Sequence, residues 1–511
     1  MKNEAPIAAS AALALPAPAP IAATLGVAMV ACIALPWLNP FAPGPSPAIV
    51  PGLISLACGG LLLAMSLVHP VRVRTIALAW LLAALLSSAM ALLQYLGTNP
   101  VPSLINGTNA GEAFANLRQR NQFATLTNIG LAALLWSATG QRVGAQTLAR
   151  LLPFAGAALL ASGNAASSSR TGLVQLALLV LMHWFWPSRR AAGRRSLLLF
   201  SCLSYATALL LLPRLLSLDP VNHGLLLRLS EGDALCSSRL TLWSNVLHLI
   251  AQRPWLGWGW GELDYAHYIT LYPGPRFCDI LDNAHNLPLH LAVELGIPVA
   301  LASCLVGVGL VWRAKPWTET RPARQLAWAV LTLILLHSML EYPLWYGPFQ
   351  MAALLSLWIL LWPDSDRAHG AGQPGSASRA LVASLAAAMI AVVGFAGWDY
   401  QRVSQIYLAV ESRMPGYRDN TLEKIRGSRL FANQVSFAEL TITPLTSANA
   451  AQIHAMADAL LHYSPESRVI EKLIESAVML GLDDEARFHM LRYQAAFALD
   501  YARWSKGPAG N

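Results

Sequence analysis

The sequence predicts an all-α polytopic membrane protein with about eleven transmembrane helices, a large loop and a C-terminal helical domain outside the membrane. Three observations carry this. The 511 residues are 55% hydrophobic and only 12% charged, with a mean hydropathy of +0.46. Soluble domains carry about 25% charged residues. Apolar runs long enough to cross a bilayer recur along the chain. The basic residues gather in short loops between these runs, and those loops alternate in charge.

The elements follow in order. The N-terminal stretch MKNEAPIAASAALALPAPAP has one Lys and is a poor signal peptide, so run 21–36 is read as a retained anchor. Runs 50–68 and 75–97 are almost uninterrupted. Run 121–138 begins in a polar cluster, and run 150–164 is short and ends in ASGNAASSS. Runs 171–187 and 196–213 precede residues 214–286, which are too polar to span. Run 287–312 follows and begins with amphipathic character suited to the membrane surface. Runs 325–340, 349–362 and 380–398 complete the membrane part. Residues 1–398 therefore form a membrane domain with loop 214–286 inside it, and 399–511 a separate tail. In the tail, SPESRVIEKLIESAVMLGLDDEARFHMLRYQAAFALDYARW reads as helix, Gly-containing turn, helix, a tetratricopeptide-like pair. One such pair cannot bury its own face, and ANAAQIHAMADALLHY supplies a neighbouring helix.

Charge sets the orientation. With the N-terminus in the cytoplasm, the cytoplasmic loops hold Lys2, Arg72, Arg74, Arg142, Arg150, Arg189, Arg190, Arg194, Arg195, Arg313, Lys315, Arg321, Arg324, Arg367 and Arg379. The short outer loops hold only Arg118, Arg120 and Arg170. This is the positive-inside pattern. It explains the net charge of +8 without a nucleic-acid partner. An odd number of spans then puts loop 214–286 and the tail together on the outer side.

The three outer arginines break that pattern and are candidates for another task. Arg118 and Arg120 stand with Asn121 and Gln122 in LRQRNQ, and Arg170 stands in SSSRTG. Guanidinium groups offer paired donors that fit phosphate oxygens, so these residues suit a lipid carrying phosphate or pyrophosphate. The alternative is a headgroup anchor. LDNAHNLPLH puts His285 and Asn286 at the outer start of the eighth run. An imidazole there can accept a proton near neutral pH, or it can be a hydrogen-bonded structural group. His290 is not on the same helix face and is not paired with His285 as a metal ligand. Glu341 and Tyr342 in EYPLWYGP can orient a hydroxyl or bind a sugar, or they can cap a helix beside an aromatic belt. Cys236 and Cys278 share the outer loop and are a candidate disulfide if that compartment is oxidising.

Several chemistries are missing. No GxxxxGK[ST], HExxH, GxSxG or CxxC occurs. The first outer loop, 37–51, contains no acid, so no metal site is expected and a metal-free reaction is the economical reading. The spans are read as free of proton-relay carboxylates, which weighs against an ion-coupled transporter.

Five stretches, LRQRNQFATLTNIGLAALLW, SSSRTGL, SRLTLWSNVLHLIAQRPWLGWGWGE, DNAHNLPLHLAVELGIPVALA and HSMLEYPLWYGPF, resemble in this order the bacterial O-antigen ligase and polymerase superfamily. The resemblance is greatest to its protein O-oligosaccharyltransferase branch, which glycosylates pilins. It implies a multi-pass inner-membrane enzyme with its loop and tail in the periplasm. It implies a donor oligosaccharide on undecaprenyl pyrophosphate, a Ser or Thr acceptor on a periplasmic protein, and no cofactor. The family's essential His falls on His285, and its pyrophosphate arginines fall on Arg118, Arg120, Arg170 and Arg239. Either His285 or Glu341 is then the base. Ligation to lipid A-core, O-antigen polymerisation, lipid-linked glycan transport and a non-catalytic scaffold are the competing readings.

Overall fold

A computed structural model describes residues 19–138, 147–187, 191–231, 235–361 and 376–506. Lys2, Arg142, Arg189, Arg190 and Arg367 of the charge pattern lie outside the described residues. Among the described residues every regular element is helical. Seven helices come first: α1 Ala19–Leu38, α2 Ile49–Ser66, α3 Val73–Tyr95, α4 Arg120–Ala138, α5 Thr147–Ala166, α6 Arg170–Phe185 and α7 Ala191–Leu215. Four shorter ones build the long loop: α8 Gly224–Glu231, α9 Arg239–Gln252, α10 Leu263–Ile269 and α11 Leu287–Leu295. The bundle resumes with α12 Ile297–Ala314, α13 Pro322–Ser338, α14 Gly347–Leu361 and α15 Ser376–Ser404. The tail holds α16 Thr421–Ile425, α17 Ala432–Ile442, α18 Ala450–Leu461, α19 Ser467–Met479, α20 Asp483–Ala496 and α21 Ala498–Trp504.

Six helices, α1, α2, α3, α7, α12 and α15, are long and apolar enough to cross a membrane, so the chain is a multi-pass membrane protein. Others are shorter or more polar for a visible reason. α4 carries Gln122, Thr125, Thr127 and Asn128, all buried. It lies at the centre of the bundle among α3, α5, α6 and α13, which shield it from lipid. Close approach there depends on small residues: a Cβ on Gly130 would stand 2.2 Å from the Ala84 methyl. The eighth sequence run is two helices. Gly296, at φ +87°, separates α11 from α12, and a Cβ there would lie 2.1 Å from the Trp255 carbonyl oxygen. Glu294, which falls inside that run as drawn from sequence, therefore sits on α11 and outside the spanning α12. The run drawn as 287–312, with its amphipathic start, thus divides into α11, which carries Glu294, and the spanning α12.

The connections sort to two ends of the bundle. At one end Trp186 Nε1 donates to the Pro316 carbonyl (2.7 Å) and the Arg194 guanidinium to Gln325 (3.0 Å). At the other, the segments around Pro40, Arg118, Ser169 and Glu341 meet α8–α11. The tail packs onto this second layer. Tyr268 of α10 is fully buried in the core formed by Phe437, Ile453, Leu473 and Tyr493. Its hydroxyl pairs with His489 Nδ1 (3.0 Å), and Arg492 Nε donates to the Ile269 carbonyl (2.6 Å).

Candidate active site

The site is built around Glu341. α13 ends at Ser338, and the next turn holds the Glu341 amide on the His337 carbonyl (2.8 Å). Pro343 then stops the helix, because a residue before proline disfavours helical backbone. This leaves the Glu341 carboxylate buried and aimed inward, with only 5% of its surface exposed. Such a group must be paired to be tolerated. Arg239 and Asn121 (3.2 Å) donate to one oxygen, and Gln119 (3.1 Å) to the other. His285 Nδ1 lies 2.7 Å from that second oxygen.

Three separate segments deliver these donors. Arg239 is the first residue of α9, whose N-cap Ser238 accepts from the Thr241 amide. Gln119 and Asn121 flank the start of α4. The Asn121 side-chain oxygen Oδ1 accepts from Oγ of Ser169 (2.6 Å), the N-cap of α6. His285 precedes Asn286, which caps α11 by accepting from the Leu289 amide (3.1 Å). The Asn286 amide also donates to the Met339 carbonyl (3.1 Å), tying α11 to the end of α13. His285 is held at φ +51°, the left-handed region that costs a non-glycine residue about 1–2 kcal/mol. Arg118 and Ser168 share that conformation, at φ +60° and +53°. Strained backbone of this kind clusters where a side chain must be held for function.

Electrostatics fix the protonation states. Burial pushes the Glu341 carboxyl up. The hydrogen bond and charge of His285 and the charge of Arg239 outweigh this and hold it below the usual carboxylate range. Glu341 is thus a carboxylate and accepts only, so Nδ1 of His285 carries the proton it shares. In the neutral ring the other nitrogen, Nε2, is left to accept a proton. Tyr342 packs its ring edge-on against His285, with centroids 4.9 Å apart, and stacks on Tyr346 at 5.8 Å. Burial pushes the Tyr342 hydroxyl up, so it stays protonated. Burial also raises Asp282, three residues before His285, although the His285 charge opposes this.

The remaining sequence candidates are placed around this hub. Arg118 donates to the Pro40 carbonyl (2.9 Å), and Arg120 pairs with Glu112 (2.6 Å). Neither reaches Glu341; Gln119 between them does. Arg170 begins α6, directly after Ser169. Gln122 is buried beneath Tyr346. Cys236 and Cys278 form a disulfide with Cα atoms 5.2 Å apart. It joins the strands of loop that lead into Arg239 and His285.

Sequence reasoning missed three features. Gln119 lies inside the quoted LRQRNQ but was not singled out. Arg228 of α8 donates to the Ser168 carbonyl (3.1 Å), one peptide from the α6 N-cap. Below the site, Thr125 Oγ1 meets both His337 Nδ1 (3.0 Å) and Gln175 (2.9 Å). The signal for this last network is a set of polar residues at helical spacing within otherwise apolar runs. Among the described residues, no group of three His, Cys, Asp or Glu side chains is placed to hold a metal ion.

The residues that build this hub fall within stretches that three family models match. Residues 155–304 match the O-antigen ligase family. Residues 325–509 match the C-terminal family of the membrane-bound polymerase virulence factors, and residues 113–136 the protein glycosylation ligases. By these matches the chain is similar to the O-antigen ligase superfamily over separate parts of its length. These three matches contain every residue of the Glu341 hub. Two curated relatives come from Acinetobacter baylyi (strain ATCC 33305 / BD413 / ADP1). A general O-oligosaccharyltransferase is 27% identical over 274 residues, 52% of this chain and 46% of the relative. A ComP-specific O-oligosaccharyltransferase is 24% identical over 249 residues, 48% of this chain and 43% of the relative. The chain thus aligns with just under half the length of each of these relatives.

Proposed function

We propose that the chain transfers an oligosaccharide en bloc from undecaprenyl pyrophosphate to Ser or Thr hydroxyls of periplasmic proteins such as pilin. The reaction is a metal-independent inverting displacement. The observation that carries the proposal is the Glu341 carboxylate, which bonds His285 and Arg239 at once. Glu341 orients the ring, and Nε2 of His285 takes the acceptor hydroxyl proton as that oxygen attacks the anomeric carbon. The bond from the anomeric carbon to the pyrophosphate oxygen breaks, and undecaprenyl pyrophosphate leaves with the electron pair. Arg170 and Arg239, with Arg118 and Arg120 further out, stabilise the negative charge that develops there. A carboxylate held below its usual range is a poor proton acceptor, so His285 is the base and Glu341 its positioning partner.

The proposed setting is the bacterial inner membrane. Eleven crossings, α1–α7 and α12–α15, put residues 1–398 in the membrane layer. Loop 214–286 and the tail from 399 then share the periplasmic side, and the N-terminus is cytoplasmic. The packing of the tail onto α10 supports this, because an odd number of crossings between the loop and the tail would separate them. The helical pairs of the tail are read as a tetratricopeptide-like domain.

The test uses a host that makes undecaprenyl-linked glycan but lacks its own ligase and protein transferase. The chain is expressed with a candidate pilin, and pilin and lipid A-core are examined for sugar. Sugar on the pilin, lost in His285→Ala at equal expression, is the expected result. Sugar on lipid A-core alone would replace the reading by O-antigen ligation, to which the match over 155–304 also points. A retained anomeric configuration would exclude the single displacement.

A further inference from the structure

Beside the Glu341 hub lies an aromatic pair that the mechanism does not use. Trp260 comes from the GWGWGE turn and Trp345 from EYPLWYGP, segments far apart in sequence. Their rings stack at 6.1 Å between centroids, inclined by 15°, and they are 62% and 39% exposed. Exposed indoles at a membrane boundary are ordinary anchors. Trp255, 75% exposed beside the start of α12, fits that description.

The pair differs in how firmly it is held. His290, only 2% exposed, meets both rings edge-on, at 5.9 Å from Trp260 and 5.0 Å from Trp345. His290 Nε2 lies 3.5 Å from the Glu294 carboxylate one helical turn on. That carboxylate accepts from the Gly261 and Leu263 amides, which follow Trp260 in the chain. The amides of Trp258 (2.9 Å) and Gly259 (3.0 Å) bond the Val293 and Glu294 carbonyls. Gly257, at φ +70°, lies so close that a Cβ would stand 2.4 Å from the Glu294 backbone. The turn is fastened to α11, the helix that His285 precedes. Trp345 is fastened from the other side, four residues after Glu341. A lipid anchor needs no such bracing; a surface that positions a ligand does.

We infer that Trp260 and Trp345 form a stacking platform for a sugar of the transferred glycan. The inference rests on the transferase reading above. A pyranose presents a face of C–H groups that packs on an indole face, and its hydroxyls remain in water. The reacting anomeric carbon must lie at His285 and Tyr342, so the rest of the glycan must extend over adjacent surface. The platform adjoins that point and is rigid, uncharged and aromatic.

The experiment uses the full chain in detergent and the oligosaccharide released by mild acid from the host's polyprenyl-linked glycan. Saturation-transfer NMR reads contact to the sugar ring protons. Wild type should saturate them. Trp260→Leu with Trp345→Leu keeps the apolar bulk that lipid requires and removes the aromatic faces. It should cut the signal about fivefold, with partial recovery in the Phe pair. In transfer assays the Leu pair should raise the donor KM by a similar factor and leave kcat within about twofold. An equal signal from wild type and the Leu pair, or no saturation in wild type, would overturn the platform. Saturation without transfer to any acceptor would remove the transferase reading and leave the platform standing as a glycan-binding surface.

Discussion

Glu341 carries the most interactions of any residue at the site, and its single charge is its vulnerable property. Glu341→Gln keeps an oxygen for the His285 ring but removes the anion opposite Arg239. Transfer should fall by roughly 10²-fold, as for loss of an oriented general base. Thermal stability should drop by about 1–3 kcal/mol, the cost of a partly buried group left unpaired. Activity within twofold of wild type, measured on protein of equal stability, would refute the positioning role. The sequence made His285 and Glu341 visible because each is polar and borders an apolar run. It hid the hub itself, since Gln119 and Glu341 meet across 222 residues and no local pattern encodes that distance. A second residue carries a pH signature. Burial pushes Glu294 up to about 7, well above its unfolded value. The stability it contributes is therefore complete below about pH 4.3 and is lost as pH rises through 7. Wild type should lose up to roughly 3 kcal/mol between pH 5 and 8 from this group, and Glu294→Gln should flatten that slope. Asp264, raised to about 7 by burial, adds a slope of the same sign that the substitution leaves in place.

At the scale of elements, hydropathy located the helices of the bundle because crossing lipid demands about 20 apolar residues regardless of tertiary context. α4 was drawn from 121 and observed from Arg120. Its polar side chains were legible, but their burial at the bundle centre was not, because partners such as Asn164 and His337 come from 36 and 212 residues away. The division of α11 from α12 was written in Gly296–Ile297–Pro298, since proline favours a helix start and glycine the turn before it. Continuous apolarity masked that signal. Gly296 now separates a loop helix carrying the site from a membrane helix, and its backbone fits against Trp255. Gly296→Ala should therefore destabilise the protein by more than about 2 kcal/mol through clash and left-handed strain together. Gly481 supplies the comparison. It turns between α19 and α20 at φ +71° with nothing near its missing Cβ, so Gly481→Ala should cost only about 1 kcal/mol. Equal melting shifts for the two variants would show that the Trp255 contact contributes nothing.

At the scale of the whole molecule, the site lies where the membrane bundle meets the α8–α11 layer, and the tail packs on that layer. The bundle holds the layer through Glu341 with Arg239 and through Asn286 with Met339. The tail holds its far side. There Tyr268 fills the tail core, His462 stacks on Tyr265 at 3.8 Å and reaches Glu262 (2.6 Å), and Arg492 donates to Ile269. A layer fastened on one face only would let the segments bearing Arg239 and His285 drift, and small displacements cost catalysis heavily. On the proposed transferase reading, the tail is expected to position the reacting groups, whatever else docks on it. Tyr268→Phe with Arg492→Ala tests this without deleting the tail. It leaves His489 without its hydroxyl partner and loosens α10 by about 1–3 kcal/mol. The expected outcome is a fall in kcat of about tenfold, with the acceptor KM nearly unchanged and faster proteolysis within 253–282. A tail that serves only to recruit the acceptor would give the opposite split, a raised acceptor KM at constant kcat, because acceptor affinity would then depend on the tail surface and turnover would not.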